Sequence, residues 1–161
     1  MSGHIISIIG GKGGVGKSQL AANLALAWAA ETRQRVLLLD FDQRACGDQN
    51  LITGIRSKKN VKELSEFSGA IDPKSLMLFT AEHKGGISYI GMPAEPVAAN
   101  QINEEGLGKA LKAVTNIYPL TVIDAGSELN PLALKALEFS TLIVLVVSPD
   151  LLSVNQGKRM Y

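Results

Sequence analysis

The chain has 161 residues, 46% of them hydrophobic and 19% charged, which is long enough for one domain with its own core and too apolar for a disordered segment. A formal net charge of +1 gives no global pull toward nucleic acid or anionic lipid. A single cysteine, Cys46, excludes an internal disulfide and favours a reduced, cytoplasmic setting. Met1 to Ile9 lacks a basic n-region and is expected to be a buried strand rather than a signal peptide, and no apolar run approaches the ~20 residues of a membrane helix.

In chain order, His4 to Ile9 is a β-branched apolar run that predicts a strand buried on both faces. A glycine-rich turn follows, and then a helix over Lys17 to Ala30. Its Leu20, Leu24 and Trp28 recur every four residues as an apolar stripe, with Trp28 expected in the core. Arg35 to Leu39 predicts a second buried strand, ending in Asp40-Phe41-Asp42. Loop and short helix are expected over Cys46 to Ile55, and a short helix over Val61 to Phe67. Ile87 to Gly91 predicts a strand stopped by Pro93 and Pro96, and Glu104 to Val114 has helical composition. Leu120 to Ile123 predicts a strand ending at Asp124. Pro131 to Phe139 predicts a helix with proline in its first turn. Thr141 to Val147 is the most apolar strand, followed by Pro149-Asp150 and a helix from Leu151.

Strands that read as continuous apolar runs and alternate with helices predict an α/β fold. The expected form is a doubly wound, mostly parallel sheet with helices on both faces. Ligands bind such sheets beyond the carboxyl ends of the strands. Three motifs fall there. Gly11-Lys12-Gly13-Gly14-Val15-Gly16-Lys17-Ser18 fits the phosphate-loop pattern G-x-x-x-x-G-K-[ST]. Its glycines allow successive N–H groups to face phosphate oxygens. Lys17 is expected at the β- and γ-phosphates, and the Ser18 hydroxyl on Mg²⁺. Asp40/Asp42 and Asp124 follow later strands; read without the loop upstream, the first pair is better taken as a strand end with two solvated acids.

Lys12 adds a second lysine to the loop, and Lys12-Gly13-Gly14-Val15-Gly16-Lys17-Ser18 resembles the deviant Walker A box of the MinD/ParA family of P-loop ATPases. Asp40-Phe41-Asp42 is similar to that family's D-x-D box, and Asp124 to its Walker B acid. The resemblance spans residues 1–161 as one P-loop NTPase domain. It implies ATP and Mg²⁺ as cofactors, slow ATP hydrolysis, and a homodimer that forms on nucleotide. By position, Lys12 reaches the partner's nucleotide, Lys17 holds phosphate and Asp42 orients water, so these three are the implied catalytic residues. Gly11, Lys12, Gly13, Gly14, Val15, Gly16, Lys17, Ser18 and Gln19 are the implied nucleotide contacts, and Ser18, Asp40 and Asp124 the metal side.

The sequence departs from the family pattern in two places. Ala125-Gly126-Ser127 stands where prolines and a glycine usually follow the Walker B acid, and Gln19 stands where many members carry Thr or Ser. Cys46-Gly47-Asp48, Met92-Pro93-Ala94-Glu95-Pro96 and Ser148-Pro149-Asp150-Leu151-Leu152-Ser153 are most similar to the CpaE/TadZ branch, which positions pilus-assembly machinery. Protein partners in a larger assembly are therefore implied. Family domains continue past the strand at Thr141 to Val147, so the chain is expected to be a truncated domain or a minimal variant. Neither MinD's C-terminal membrane helix nor ParA's basic C-terminal surface is expected within this chain, and DNA binding is not expected. Two rival readings are a non-hydrolysing nucleotide-bound scaffold and a DNA-partitioning ATPase.

Overall fold

A computed structural model describes residues 2–99 and 101–160; Met1, Asn100 and Tyr161 lie outside the described residues. The strands are β1 His4–Ile9, β2 Val36–Asp40, β3 Ala81–Glu82, β4 Ile87–Ile90, β5 Leu120–Asp124 and β6 Leu142–Leu145. The helices are α1 Lys17–Thr32, α2 Asp48–Thr53, α3 Val61–Ser65, α4 Pro73–Leu76, α5 Pro96–Ala99, α6 Glu104–Val114, α7 Pro131–Phe139 and α8 Leu151–Met160. The strands form one six-stranded sheet in the order β3-β4-β2-β5-β1-β6. All pairings are parallel except the short β3–β4 edge.

Every residue of β2, β4 and β5 is buried, as apolar runs inside a doubly covered parallel sheet should be. Alternation sends Val36, Leu38, Tyr89 and Val122 toward α1, and Leu37, Leu39, Ile90 and Ile123 toward α3, α6 and α7. The register places the acids. Asp40 pairs with Asp124 on the neighbouring strand, and Asp124 also pairs with Ile8 of β1. The sheet's own hydrogen-bond ladder thus delivers both acids, and the loop after β1, to one edge. Helix starts are marked locally: Asn60 and Glu63 form a capping box on α3, Asn103 accepts from Gly106 on α6, and Asn130 accepts from Ala133 behind Pro131 on α7.

Two expectations are corrected. Of the Leu20/Leu24/Trp28 stripe only Leu24 packs against the core; Leu20 is 40% and Trp28 38% exposed. Ala21, Ala22, Ala25 and Ala29 are the buried face of α1. Small side chains let the helix lie close to the sheet, and closeness decided the face where size had suggested otherwise. The run Thr141 to Val147 is not a doubly buried strand either. The strand is Leu142–Leu145, flanked by N–H bonds from Thr141 and Val146 to β1, and among the described residues it pairs on one side only, with Leu142 53% and Ile143 49% exposed. The antiparallel β3, anchored by Arg35, which reaches Glu82 at 3.0 Å and Ser88 at 2.9 Å, carries no sequence signal long enough to predict it.

Helix α6 separates propensity from packing. A Cβ on Gly106 would fall 1.8 Å from the Ser65 carbonyl oxygen, whereas one on Gly108 would meet Phe139 at an ordinary 3.6 Å. Helix propensity favours alanine at both. Urea unfolding is expected to show Gly108→Ala stabilised by about 0.5–1 kcal/mol and Gly106→Ala destabilised by roughly 1–3 kcal/mol. Equal effects of the two substitutions would refute the close α3–α6 contact.

Candidate functional site

The turn between β1 and α1 is shaped by backbone. Gly14 and Gly16 have φ of 76° and 91°, a region that side-chain-bearing residues rarely enter. Gly16 is the N-cap of α1 and no side chain caps that helix, so its first N–H groups face outward as a ready anion site. Lys17 is buried, and its Nζ donates to the Lys12 carbonyl at 2.9 Å, stretched back along the loop. The loop borders an open cleft of about 730 Å³, lined among others by Gly13, Lys17, Ser18, Asp42, Arg44 and Ser127. That volume is ample for a small-molecule ligand.

Beneath the cleft lie Asp40 and Asp124, each 1% exposed. Burial raises the Asp40 carboxyl well above the usual range, and the charge of Asp124 beside it adds to the effect. Burial also raises Asp124, against hydrogen bonds from Ser18 and Gln49 that favour its ionised form. Asp40 Oδ1 accepts from the Asp42 N–H at 3.0 Å, but Oδ2 is buried without a partner among the described residues. Burial pushes the Tyr89 phenol up, and the nearby charges of Asp40 and Asp124 push it further.

Asp42 is 8% exposed at the cleft wall. Its Oδ1 accepts from the N–H groups of Arg44 at 2.9 Å and Ala45 at 3.2 Å, so the turn after β2 orients the carboxylate. Gly126, φ 71°, closes over it: a Cβ there would fall 2.9 Å from Asp42 Cγ. Glycine is thus required after Asp124 because the chain must pass against Asp42. Across the cleft, Arg44 pairs with Glu128 at 2.9 Å and joins the two loops.

Lys12 lies on the flank, half-exposed, and donates to Asp150 Oδ2 at 3.1 Å within its own chain. Asp150 also accepts from Ser148 Oγ and from the Ser153 N–H at the start of α8. The Ser148 and Ser153 bonds, with Lys12 after them, hold the Asp150 carboxyl down at about 2. Gly11 lies against α8, where a Cβ would meet Gln156 at 2.8 Å.

The fold therefore gathers Gly13, Gly14, Gly16, Lys17, Ser18, Gln19 and Asp42 around one cleft, with Asp40 and Asp124 under its floor. Lys12 stands outside the cleft lining. Sequence reasoning missed Gln49, Arg44, Asp150 and the packing role of Gly126. Gln49 is fully buried on α2, and its Nε2 donates to the Ser18 carbonyl and to Asp124 Oδ2, both at 2.9 Å. A single polar residue in a short helix carries no pattern, so only the tertiary structure brings it to light.

A family model described as an AAA domain, AAA_31, matches residues 3–160. The chromosome-partitioning ATPase Soj of Thermus thermophilus is 30% identical over 152 residues, covering 90% of this chain and 55% of Soj. A ParA family ATPase from Chlorobium tepidum superposes with a TM-score of 0.88 at 22% identity, covering 96% of this chain and 64% of that one. The septum site-determining protein MinD of Pyrococcus horikoshii, complexed with Mg-ADP, superposes with a TM-score of 0.77 at 22% identity, covering 98% and 63%. The chain spans about half the length, 54% to 57%, of the curated relatives it matches. With this sheet order, loop and pair of buried acids, the chain belongs to the MinD/ParA family of P-loop ATPases.

Proposed function

We propose that this chain binds ATP with Mg²⁺ and hydrolyses it slowly, as a switch that dimerises on nucleotide and positions a larger assembly. The observation that carries the reading is the in-register pair Asp40/Asp124 beneath an uncapped, glycine-shaped helix start. The residues fit the metal. Mg²⁺ is a hard cation that prefers oxygen donors and keeps several waters, and the orphaned, buried Asp40 Oδ2 is an acceptor with no partner among the described residues. Ser18 is the residue for direct contact, with Asp40 and Asp124 supporting the hydration shell. When bound, Mg²⁺ neutralises charge on the β- and γ-phosphates. The fold neighbour from Pyrococcus horikoshii that carries Mg-ADP supports this choice of ligand.

Within this reading each residue has one task. The amides from Gly13 to Gln19 and the Lys17 ammonium hold the phosphates, which requires Lys17 to leave the Lys12 carbonyl. Asp42, its carboxylate plane set by two backbone N–H groups and by Gly126, accepts a hydrogen bond from water and turns the oxygen toward the terminal phosphorus. Lys12 has to exchange Asp150 for the partner's nucleotide, where its charge stabilises the transferring phosphoryl group. A pilus or secretion apparatus is the assembly favoured by the segments similar to the CpaE/TadZ branch.

Phosphate release should fall roughly 100-fold or more in Asp42→Ala, with ATP affinity kept within a few-fold; equal turnover in both proteins would favour the scaffold reading. Lys12→Ala is expected to abolish ATP-dependent dimer formation in light scattering while monomers still bind nucleotide. A third expectation concerns stability without metal. Both buried acids titrate above their unfolded values near 4, so they lower stability as pH rises through their folded values. In EDTA at pH 7, Asp40→Asn should therefore raise Tm, at about 2–4 °C per kcal/mol for a chain of this size, and weaken the response to Mg²⁺. A lower Tm would refute the unfavourable acid pair.

A further inference from the structure

We infer that Gln49 is a positioning residue that holds Asp124 and the Ser18 segment in one frame for the metal, an assignment that rests on the Mg–nucleotide reading above. Gln49 is fully buried, and a primary amide is an expensive side chain to bury where leucine or methionine would fill the same space. Its cost is only partly recovered, because Oε1 has no partner among the described residues. What the amide does achieve is specific. One nitrogen carries two hydrogens and spends them on two acceptors, the Ser18 carbonyl and Asp124 Oδ2, both at 2.9 Å. The reverse amide orientation would set an oxygen against two oxygens, so the chemistry fixes which end faces the acid.

That placement joins two elements distant in sequence. The same amide ties the start of α1, which carries Ser18, to the end of β5, which carries Asp124. The two metal-side groups are therefore held in one frame by a third residue from α2. Within that helix the Thr53 hydroxyl donates back to the Gln49 carbonyl at 2.6 Å.

A purely structural glutamine would affect folding and nucleotide binding with or without metal. A positioning residue affects only the metal-dependent part. The test follows anisotropy of a fluorescent ATP analogue on the 161-residue chain, first in EDTA and then across a Mg²⁺ titration, for wild type and Gln49→Met. The assignment expects the Mg²⁺ concentration for half-maximal tightening to rise about tenfold or more, with affinity in EDTA unchanged within twofold. If circular dichroism shows Gln49→Met unfolded, Gln49→Leu is judged by the same criteria. An unchanged Mg²⁺ midpoint overturns the assignment, as does an equal loss of affinity with and without Mg²⁺. If the wild-type chain binds nucleotide no more tightly with Mg²⁺, the Mg–nucleotide reading fails and this inference falls with it.

Discussion

Two carboxylates cannot rest side by side under a protein surface unless something else requires it. Asp40 and Asp124 occupy facing positions on adjacent strands, and the parallel register of β2 and β5 leaves them no room to separate. Each is desolvated, and the charge of Asp124 further raises the cost of ionising Asp40. The remainder of the site reads as a response to that constraint. Ser18 and Gln49 offer donors to Asp124, the Asp42 N–H serves Asp40, and the uncapped end of α1 brings positive potential above them. Stability is given up locally at this edge of the sheet, beside a largely apolar core.

The surrounding loops depend on the same edge. Asp42 follows β2 by two residues and Gly126 follows β5 by two, so adjacent strands place them in contact. The Arg44–Glu128 pair ties those loops from the solvent side, though its exposure makes it a modest contributor to stability. On the far side of β1, the turn before α8 holds Lys12 through Asp150. Each of these strand ends thus contributes one functional group because the sheet aligns their C-terminal ends.

Much of this was legible in the chain. Continuous apolar runs gave β1, β2, β4 and β5 nearly to the residue, and proline and asparagine marked the start of α7, because local chemistry alone determines these features. The phosphate loop was legible for the same reason, as φ above zero demands glycine at Gly14 and Gly16. What was not legible depends on distance between segments. Trp28 looked like core because it is large, yet the alanines of α1 are what a nearby sheet admits. Gln49 and Asp150 act only through residues remote in sequence, and no spacing rule reaches them.

The two rims of the sheet are unlike. One ends in β3, two residues long, with Glu82 held by Arg35 and its charge turned toward solvent. Short length and charge are the usual ways of keeping a foreign strand away. The other ends in β6, four apolar residues with no proline or lysine, and with Leu142 and Ile143 half uncovered. Within these 161 residues the two rims are therefore guarded unequally, and the less guarded one adjoins β1, the strand that leads into the phosphate loop.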